Sequence, residues 1–115
     1  GAMVHVALEA AEAAAKRGIE VEIVDLRTIL PFDAETCVDS VRRTGRLIVL
    51  QEAQYTGGLG HTVSSRILEE AFWNLENAPV VIGALDTPVP FSPPLEDHTI
   101  PSSDYLVRHI RRMCE

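Results

Sequence analysis

Three glycines lie close together at Gly57, Gly58 and Gly60, where a predicted strand ends and a predicted helix begins. Backbone N–H groups at the start of a helix can bind an anion, so this turn is a candidate anion-binding site. However, neither GxGxxG nor GxxxxGK[ST] is present, and no lysine lies nearby in the sequence. We therefore favour a simpler interpretation, in which the glycines form a tight turn that requires a positive φ angle.

The other side chains that could do chemistry are those of the histidines and cysteines. They are His5, His61, His98, His109, Cys37 and Cys114. No pair has the HxxxH, HExxH or CxxC spacing of zinc sites, so we predict no metal site. His61, at a helix start, suits an acid, a base or a capping residue, and we favour capping. The nucleophile motif GxSxG is also absent, and the residue pattern predicts no catalytic residue.

The composition limits the class of protein further. The chain has 115 residues, 46% of them apolar and 23% charged, which is typical of one folded domain. Its formal net charge of −7 argues against nucleic-acid or anionic-membrane binding, which requires faces rich in lysine and arginine. No apolar stretch reaches the ~18 residues of a membrane span. The two distant cysteines indicate free thiols in a reducing compartment.

The apolar pattern predicts alternating helices and strands that would position these residues. Helices are predicted at 4–17, 34–43, 61–75 and after 102 or 103, and strands at 19–26, 47–50 and 80–85. Asp33 and either Ser102 or Ser103 are expected to cap helices, and Gly45 to end one. Phe72 is expected in the apolar stripe of the third helix. Such alternation predicts an α/β fold, a three-layer sandwich with a mostly parallel sheet and helices on both faces.

Two surface features are candidates for binding a partner protein. Residues 86–101 contain five prolines, whose fixed φ angles can hold an extended loop rigid. This stretch is either a connection packed on its own domain or a preformed surface for another subunit. Arg108, Arg111 and Arg112 form a basic face on the last helix. They either complement the helix dipole or dock an acidic partner.

Five sequence segments carry a resemblance to a known family. They are VDLRTILP at 24–31, SVRRTGRL at 40–47, QEAQYTGGLG at 51–60, DTPVPF at 86–91 and IP at 100–101. These segments span nearly the whole chain in the family's order. Together they resemble the transketolase-like C-terminal domain of the β subunit of thiamine-diphosphate-dependent 2-oxoacid dehydrogenases. Gln51 stands where that family often has histidine.

The resemblance implies a function for the parent protein. Among such dehydrogenases, the pyruvate type is the first candidate for the parent enzyme. The decarboxylating component of these enzymes binds thiamine diphosphate and magnesium between its α subunit and the N-terminal domain of its β subunit. It decarboxylates a 2-oxoacid and acylates the lipoyl group of the acyltransferase component. The family's catalytic and cofactor-binding residues lie outside the region matched here, so none is assigned to this chain. We therefore expect residues 1–115 to be one domain, a fragment of a longer β subunit, that binds no cofactor and is inactive alone.

The resemblance also implies an assembly role and a location. The family's domain pairs with the second β subunit, packs near the α subunit and, in some members, docks the acyltransferase through acidic groups. Glu76 and Glu115 are the matching acidic candidates, and Arg108 and Arg111 are the basic ones. The implied location is the cytoplasm of a bacterium or archaeon, or the mitochondrial matrix of a eukaryote.

The family has a further strand before the first helix predicted here. We therefore expect an unpaired strand edge and self-association of the chain into a dimer or a larger assembly. Two other functions stay open from the residues alone. One is a free-standing α/β domain that binds a small molecule or an anion at the glycine turn, and the other is a pure protein-interaction module.

Overall fold

The computed structural model describes residues 3–26, 32–86 and 100–115. The helices are α1 (Met3–Ala15), α2 (Ala34–Thr44), α3 (Leu59–Ala71) and α4 (Ser103–Met113), and the strands are β1 (Ile48–Gln54) and β2 (Val80–Ala84). A short 3-10 turn, Phe72–Asn74, follows α3. The predicted helices and the last two predicted strands are therefore confirmed, with ends that differ by a few residues. Most of the proline-rich stretch, residues 87–99, lies outside the described ranges.

Local signals at the helix ends act as the sequence predicts. The carboxylate of Asp33 accepts the backbone N–H of Thr36 at 3.1 Å and caps α2. Gly45 ends that helix with φ 74°. The hydroxyl of Ser102 accepts the N–H of Tyr105 at 3.2 Å and caps α4. Among the described residues, no helix is long and apolar enough to cross a membrane.

The sheet of the described residues consists of β1 and β2, which pair in parallel with Ile48 opposite Val80. Side chains of successive residues point to opposite faces of such a sheet. Accordingly, Leu47 and Val49 pack against a buried cluster from α2 and α3, whereas Ile48 packs against another from α1 and α4. Helices thus cover both faces of a parallel sheet, and the predicted α/β architecture is confirmed.

The prediction of a strand at residues 19–26 is wrong in one respect. The segment has no regular secondary structure and belongs to no ladder of the sheet among the described residues. A cavity separates it from β1. Its side chains are nevertheless held in place, since Val24 and Leu26 pack against the α2–α3 cluster and Glu22 pairs with Arg43 at 2.6 Å. The alternation in the sequence predicts an extended backbone, whereas a strand also requires a neighbour at hydrogen-bonding distance.

The predicted apolar stripe of the third helix is wrong at its end. Helix α3 stops at Ala71, and Phe72 lies in the following 3-10 turn with 53% of its surface exposed. The earlier members of the stripe, Val63 and Ile67, are buried as expected. The change to a tighter helical turn rotates Phe72 away from the core, because the side-chain spacing of a 3-10 turn differs from that of an α-helix.

Candidate functional site

The acidic candidate Glu76 lies in a small network that joins the end of α2 to the end of α4. Its carboxylate pairs with the Arg46 guanidinium at 3.0 Å. Arg46 also donates through Nε to the carbonyl of Met113 at 2.8 Å. We call the surface formed by Arg46, Glu76 and residues 113–115 the docking surface, after the role that the sequence predicts for Glu76 and Glu115. Through Arg46, this surface links Glu76 to Met113, the last residue of α4, and Glu115 follows two residues later in the sequence.

A glycine positions Glu76 in this network. Gly45 lies next to Arg46 and has the left-handed φ of 74° that favours glycine. Its carbonyl accepts the backbone N–H of Glu76 at 2.7 Å. A Cβ atom at Gly45 would lie 3.0 Å from Cγ of Glu76 and 3.4 Å from the carbonyl oxygen of Asn74. The close approach of the two chain segments therefore depends on the absence of a side chain at position 45.

The basic candidates lie along α4. Arg108 lies 5.5 Å from the centre of the Tyr105 ring, in the range of a cation–π contact. Arg111 is exposed in the last turn of the helix, where a positive charge suits the helix dipole. Burial lowers the pKa of His109, and the charges of Arg112 and Arg108 lower it further. Arg108, Arg111 and Arg112 therefore make this part of α4 basic, and it ends directly before Met113 of the docking surface.

Two side chains of the protein, those of Gln51 and Asp86, hold the glycine turn in place. The amide oxygen of Gln51 accepts the backbone N–H of Gly60 at 2.6 Å, and its Nε2 donates to the carbonyl of Gln54 at 2.8 Å. Gly57 adopts φ 79°, as a tight turn requires, and Gly58 precedes the first residue of α3. The predicted tight turn is confirmed.

Asp86 holds the other side of this turn. Its carboxylate accepts the backbone N–H of Thr56 at 2.8 Å and also the Thr56 hydroxyl. These hydrogen bonds lower the pKa of Asp86, and the nearby His61 adds to the effect. His61 does not cap the helix; its Nε2 lies 3.0 Å from the Tyr55 carbonyl. A carboxylate of the protein therefore lies beside the turn that the sequence offers as a candidate anion-binding site.

One exposed aromatic pair escaped the sequence analysis. Trp73 has 92% of its surface exposed, and its ring contacts that of Phe72 edge to face, with centroids 5.0 Å apart. The sequence signal that could have revealed this pair is two adjacent aromatic residues directly after an amphipathic helix. Consecutive residues on a helix point in different directions, so both rings could not face the core.

The two cysteines differ in access. Cys37 is buried in the α2–α3 cluster and Cys114 is exposed, and both are free thiols, as predicted. Burial raises the pKa of the Cys37 thiol, and the charge of Asp33 raises it further.

Comparison with known proteins identifies the family. Residues 1–106 match the family described as "Transketolase, C-terminal domain". The chain belongs to this family. It is 46% identical over 112 residues to the acetoin:2,6-dichlorophenolindophenol oxidoreductase subunit beta of Cupriavidus necator, covering 97% of this chain and 33% of that protein. It is 41% identical over 115 residues to the pyruvate dehydrogenase E1 component subunit beta of Bacillus subtilis, covering 100% of this chain and 35% of that protein.

This transketolase C-terminal domain spans about one third of the length of these curated relatives. We tested whether its residues fit the thiamine diphosphate that the resemblance implies. At the glycine turn, Gln51 occupies the Gly60 N–H, and the Asp86 carboxylate would repel a diphosphate. Within residues 3–26, 32–86 and 100–115, no three His, Cys, Asp or Glu side chains cluster as metal ligands. The glycine turn thus does not fit this cofactor.

Proposed function

We propose that this chain is the assembly and docking domain of the β subunit of a 2-oxoacid dehydrogenase. The pyruvate type is the first candidate for that enzyme. The parent enzyme would use thiamine diphosphate, decarboxylate a 2-oxoacid and pass the acyl group to the lipoyl group of an acyltransferase. The chain itself would contribute binding surfaces for the α subunit, a second β subunit and the acyltransferase. The location proposed with this function is the bacterial or archaeal cytoplasm, or the mitochondrial matrix of a eukaryote.

The observation that carries the docking role is the network of Arg46, Glu76 and the end of α4. The Glu76 side chain is 62% exposed although it pairs with Arg46. An exposed pair of this kind contributes little to folding, so a basic residue of a partner can compete for the carboxylate at small cost. Arg46 also binds the end of α4, where Met113 lies two residues before Glu115.

The charge of the whole chain supports the same partner. A formal net charge of −7 attracts a basic docking domain and accelerates its association at low salt. Arg108 and Arg111 add a second, positive patch on α4. We infer that they fix the orientation of the partner, because two patches of opposite sign define a direction on the surface.

The aromatic pair supports the subunit-packing role. Tryptophan is strongly enriched at the energetic centres of protein interfaces, where it fills a pocket of the partner. Trp73 is almost completely exposed, and Phe72 supports its ring from the side. We assign this pair to a contact with another subunit.

The docking role is tested with Glu76→Gln and a matched control. Glu69→Gln is suitable, because Glu69 is similarly exposed and also pairs with an arginine, Arg66, at 3.2 Å. An exposed charge pair contributes about 0.2–1 kcal/mol, or roughly a one-and-a-half- to fivefold change in affinity. We expect calorimetry with the subunit-binding domain of the acyltransferase to show this loss for Glu76→Gln only. Equal affinities for both variants and the wild type would contradict the assignment.

A second experiment on the isolated chain tests whether the catalytic function of the parent enzyme lies outside this domain. We expect no turnover of pyruvate and no heat of thiamine diphosphate binding in calorimetry, because Gln51 and Asp86 occupy the glycine turn. Saturable thiamine diphosphate binding by the isolated chain would refute this part of the proposal. The docking experiment would still stand, since it uses a different surface and a different ligand.

A further inference from the structure

The outer face of α4 carries three guanidinium groups that form no ion pair within residues 3–26, 32–86 and 100–115. They belong to Arg108, Arg111 and Arg112, which are all exposed. Three arginines elsewhere do pair with glutamates, namely Arg43, Arg46 and Arg66. In a chain with a net charge of −7, guanidinium groups that no carboxylate neutralises are available to an acidic partner.

The helical spacing of these arginines sets the size of the positive surface. Arg112 lies one turn after Arg108 on the same side of the helix, and Arg111 lies beside them. At a rise of about 1.5 Å per residue, Arg108 and Arg112 are about 6 Å apart along the helix axis. The other side of the helix is buried, since Leu106 and Ile110 belong to the cluster shared with α1. The positive surface is therefore short and faces away from the core.

Tyr105 holds one of the three guanidinium groups. The Arg108 guanidinium lies 5.5 Å from the centre of the Tyr105 ring, and this ring also contacts that of His109 edge to face, with centroids 4.8 Å apart. A side chain that is already held loses less conformational freedom when it binds. Tyr105 is 43% exposed, so its ring also offers an apolar surface beside the charges. We call Tyr105, Arg108, Arg111 and Arg112 together the α4 patch.

Acidic residues lie on both sides of the α4 patch and limit the length of its ligand. Asp104 lies one turn before Arg108, and Glu115 lies three residues after Arg112. Exposed charges act over a Debye length of about 8 Å at physiological ionic strength. A long polyanion such as a nucleic acid would therefore meet these carboxylates as well as the guanidinium groups. A short acidic segment would meet the guanidinium groups alone.

We propose that the α4 patch binds a short acidic segment of a partner protein. The segment has two or three carboxylates within about 6 Å, which matches the spacing of the guanidinium groups, and an apolar residue beside them. The carboxylates accept hydrogen bonds from the guanidinium groups, and the apolar residue packs on the Tyr105 ring.

This proposal rests on the docking role proposed above and extends it to the chemistry of the partner. Met113 directly follows Arg112, and its carbonyl accepts the hydrogen bond of Arg46 at 2.8 Å. The α4 patch is therefore continuous with the docking surface, and one partner reaches both. Such a partner carries a basic residue for Glu76 and, beside it, an acidic segment for the α4 patch.

The proposal is tested with two peptides and the full 115-residue chain. The probe is the acetylated, amidated peptide Leu-Gly-Asp-Glu-Asp-Gly, and the control Leu-Gly-Asn-Gln-Asn-Gly has nearly the same shape without the charges. At an ionic strength of about 0.01 M, where screening is weak, we expect saturable binding of the probe in an NMR titration that shifts the Nε–H signals of the three α4 arginines. The control should bind roughly tenfold more weakly, because each exposed ion pair contributes about a one-and-a-half- to fivefold change in affinity. Equal binding of both peptides, or shifts confined to other residues, would overturn the proposal.

Matched double variants locate the binding on α4. Arg108→Gln with Arg112→Gln removes two charges from the α4 patch, whereas Arg42→Gln with Arg66→Gln removes two exposed charges from α2 and α3, on the other face of the sheet. The first variant should bind the probe roughly fivefold more weakly, and the second should bind it like the wild type. Equal losses in both variants would show that only the net charge matters, which would refute the proposal. If either variant does not fold, as circular dichroism would show, the uncharged peptide decides alone.

The aromatic ring and the class of ligand are tested separately. Tyr105→Ala should weaken binding of the probe about threefold, and Tyr105→Phe should restore it, because the ring and not the hydroxyl supports Arg108. Equal binding by the alanine variant and the wild type would contradict the apolar contact. A short DNA duplex that binds more tightly than the probe would identify a polyanion site and refute the proposal. These titrations contain no acyltransferase, so their failure would leave the Glu76→Gln test of the proposed function intact.

Discussion

The contact between Gly45 and Glu76 allows a sharp test of how the docking surface is built. Gly45 and Gly18 both have left-handed backbones, with φ 74° and 81°. A Cβ atom at Gly18 would meet nothing within 4 Å, whereas one at Gly45 would lie 3.0 Å from the Glu76 side chain. Alanine at the two positions therefore imposes the same backbone strain, and only one substitution also disturbs the docking surface.

The expected magnitudes follow from these contacts. The left-handed conformation costs a non-glycine residue roughly 1–2 kcal/mol, which is offset by about 0.4–1 kcal/mol from the stiffer unfolded chain. We expect Gly18→Ala to lower the free energy of unfolding by about 1 kcal/mol. Gly45→Ala should lower it by about 2 kcal/mol, because Glu76 must move and its exposed pair with Arg46, worth about 0.2–1 kcal/mol, is lost.

Urea unfolding followed by circular dichroism measures both effects. With a slope near 1.5 kcal/mol per molar urea, the midpoints should fall by about 0.7 M for Gly18→Ala and about 1.3 M for Gly45→Ala. A double-mutant cycle completes the test: adding Glu76→Ala should remove the extra cost at Gly45, because the displaced side chain is gone. Equal midpoints for the two single variants would show that Gly45 only ends α2 and does not position Glu76.

Three further predictions concern the fold. Ser102→Ala removes the cap of α4 and should cost about 1 kcal/mol in urea unfolding, whereas an unchanged midpoint would argue against the cap. Ile67→Ala should lower the free energy of unfolding by about 2–5 kcal/mol, because this side chain is 1% exposed; a loss below 1 kcal/mol would mean that the neighbouring side chains of the α2–α3 cluster close over the space. Hydrogen bonds from Thr36 lower the pKa of Asp33 from its ordinary value of 3.8, so its contribution to stability is present above that pH and is lost as the pH falls through the lowered pKa. Stability measured between pH 6 and about pH 2 should thus fall less for Asp33→Asn than for the wild type, and parallel curves would contradict the assignment.

The parts of the fold that depend on neighbours along the chain could be predicted from the sequence. Asp33, Gly45 and Ser102 act within one helical turn, so their residue types alone indicate where helices begin and end. The pairing of residues 19–26 could not be predicted in this way, because a ladder depends on a strand that is distant in sequence.

The candidate site shows the same contrast between local and distant contacts. Its glycine turn was predictable, since three glycines next to a helix start restrict the backbone locally. The docking surface was not, because Arg46 reaches the Met113 carbonyl across 67 residues of sequence. Only the resemblance to a family indicates Glu76 and Glu115 from the sequence. Only the structure shows that Arg46 links Glu76 to the end of α4.

The central claim is that this chain serves as the assembly domain of a larger β subunit. The most direct measurement uses a chimera in which this chain replaces the matching third of the Cupriavidus necator subunit, to which it is 46% identical. Light scattering of the chimera mixed with the other subunits of that enzyme measures the mass of the assembly. We predict the same mass as for the unmodified enzyme. A chimera that is folded by circular dichroism but stays apart from the other subunits would contradict the account.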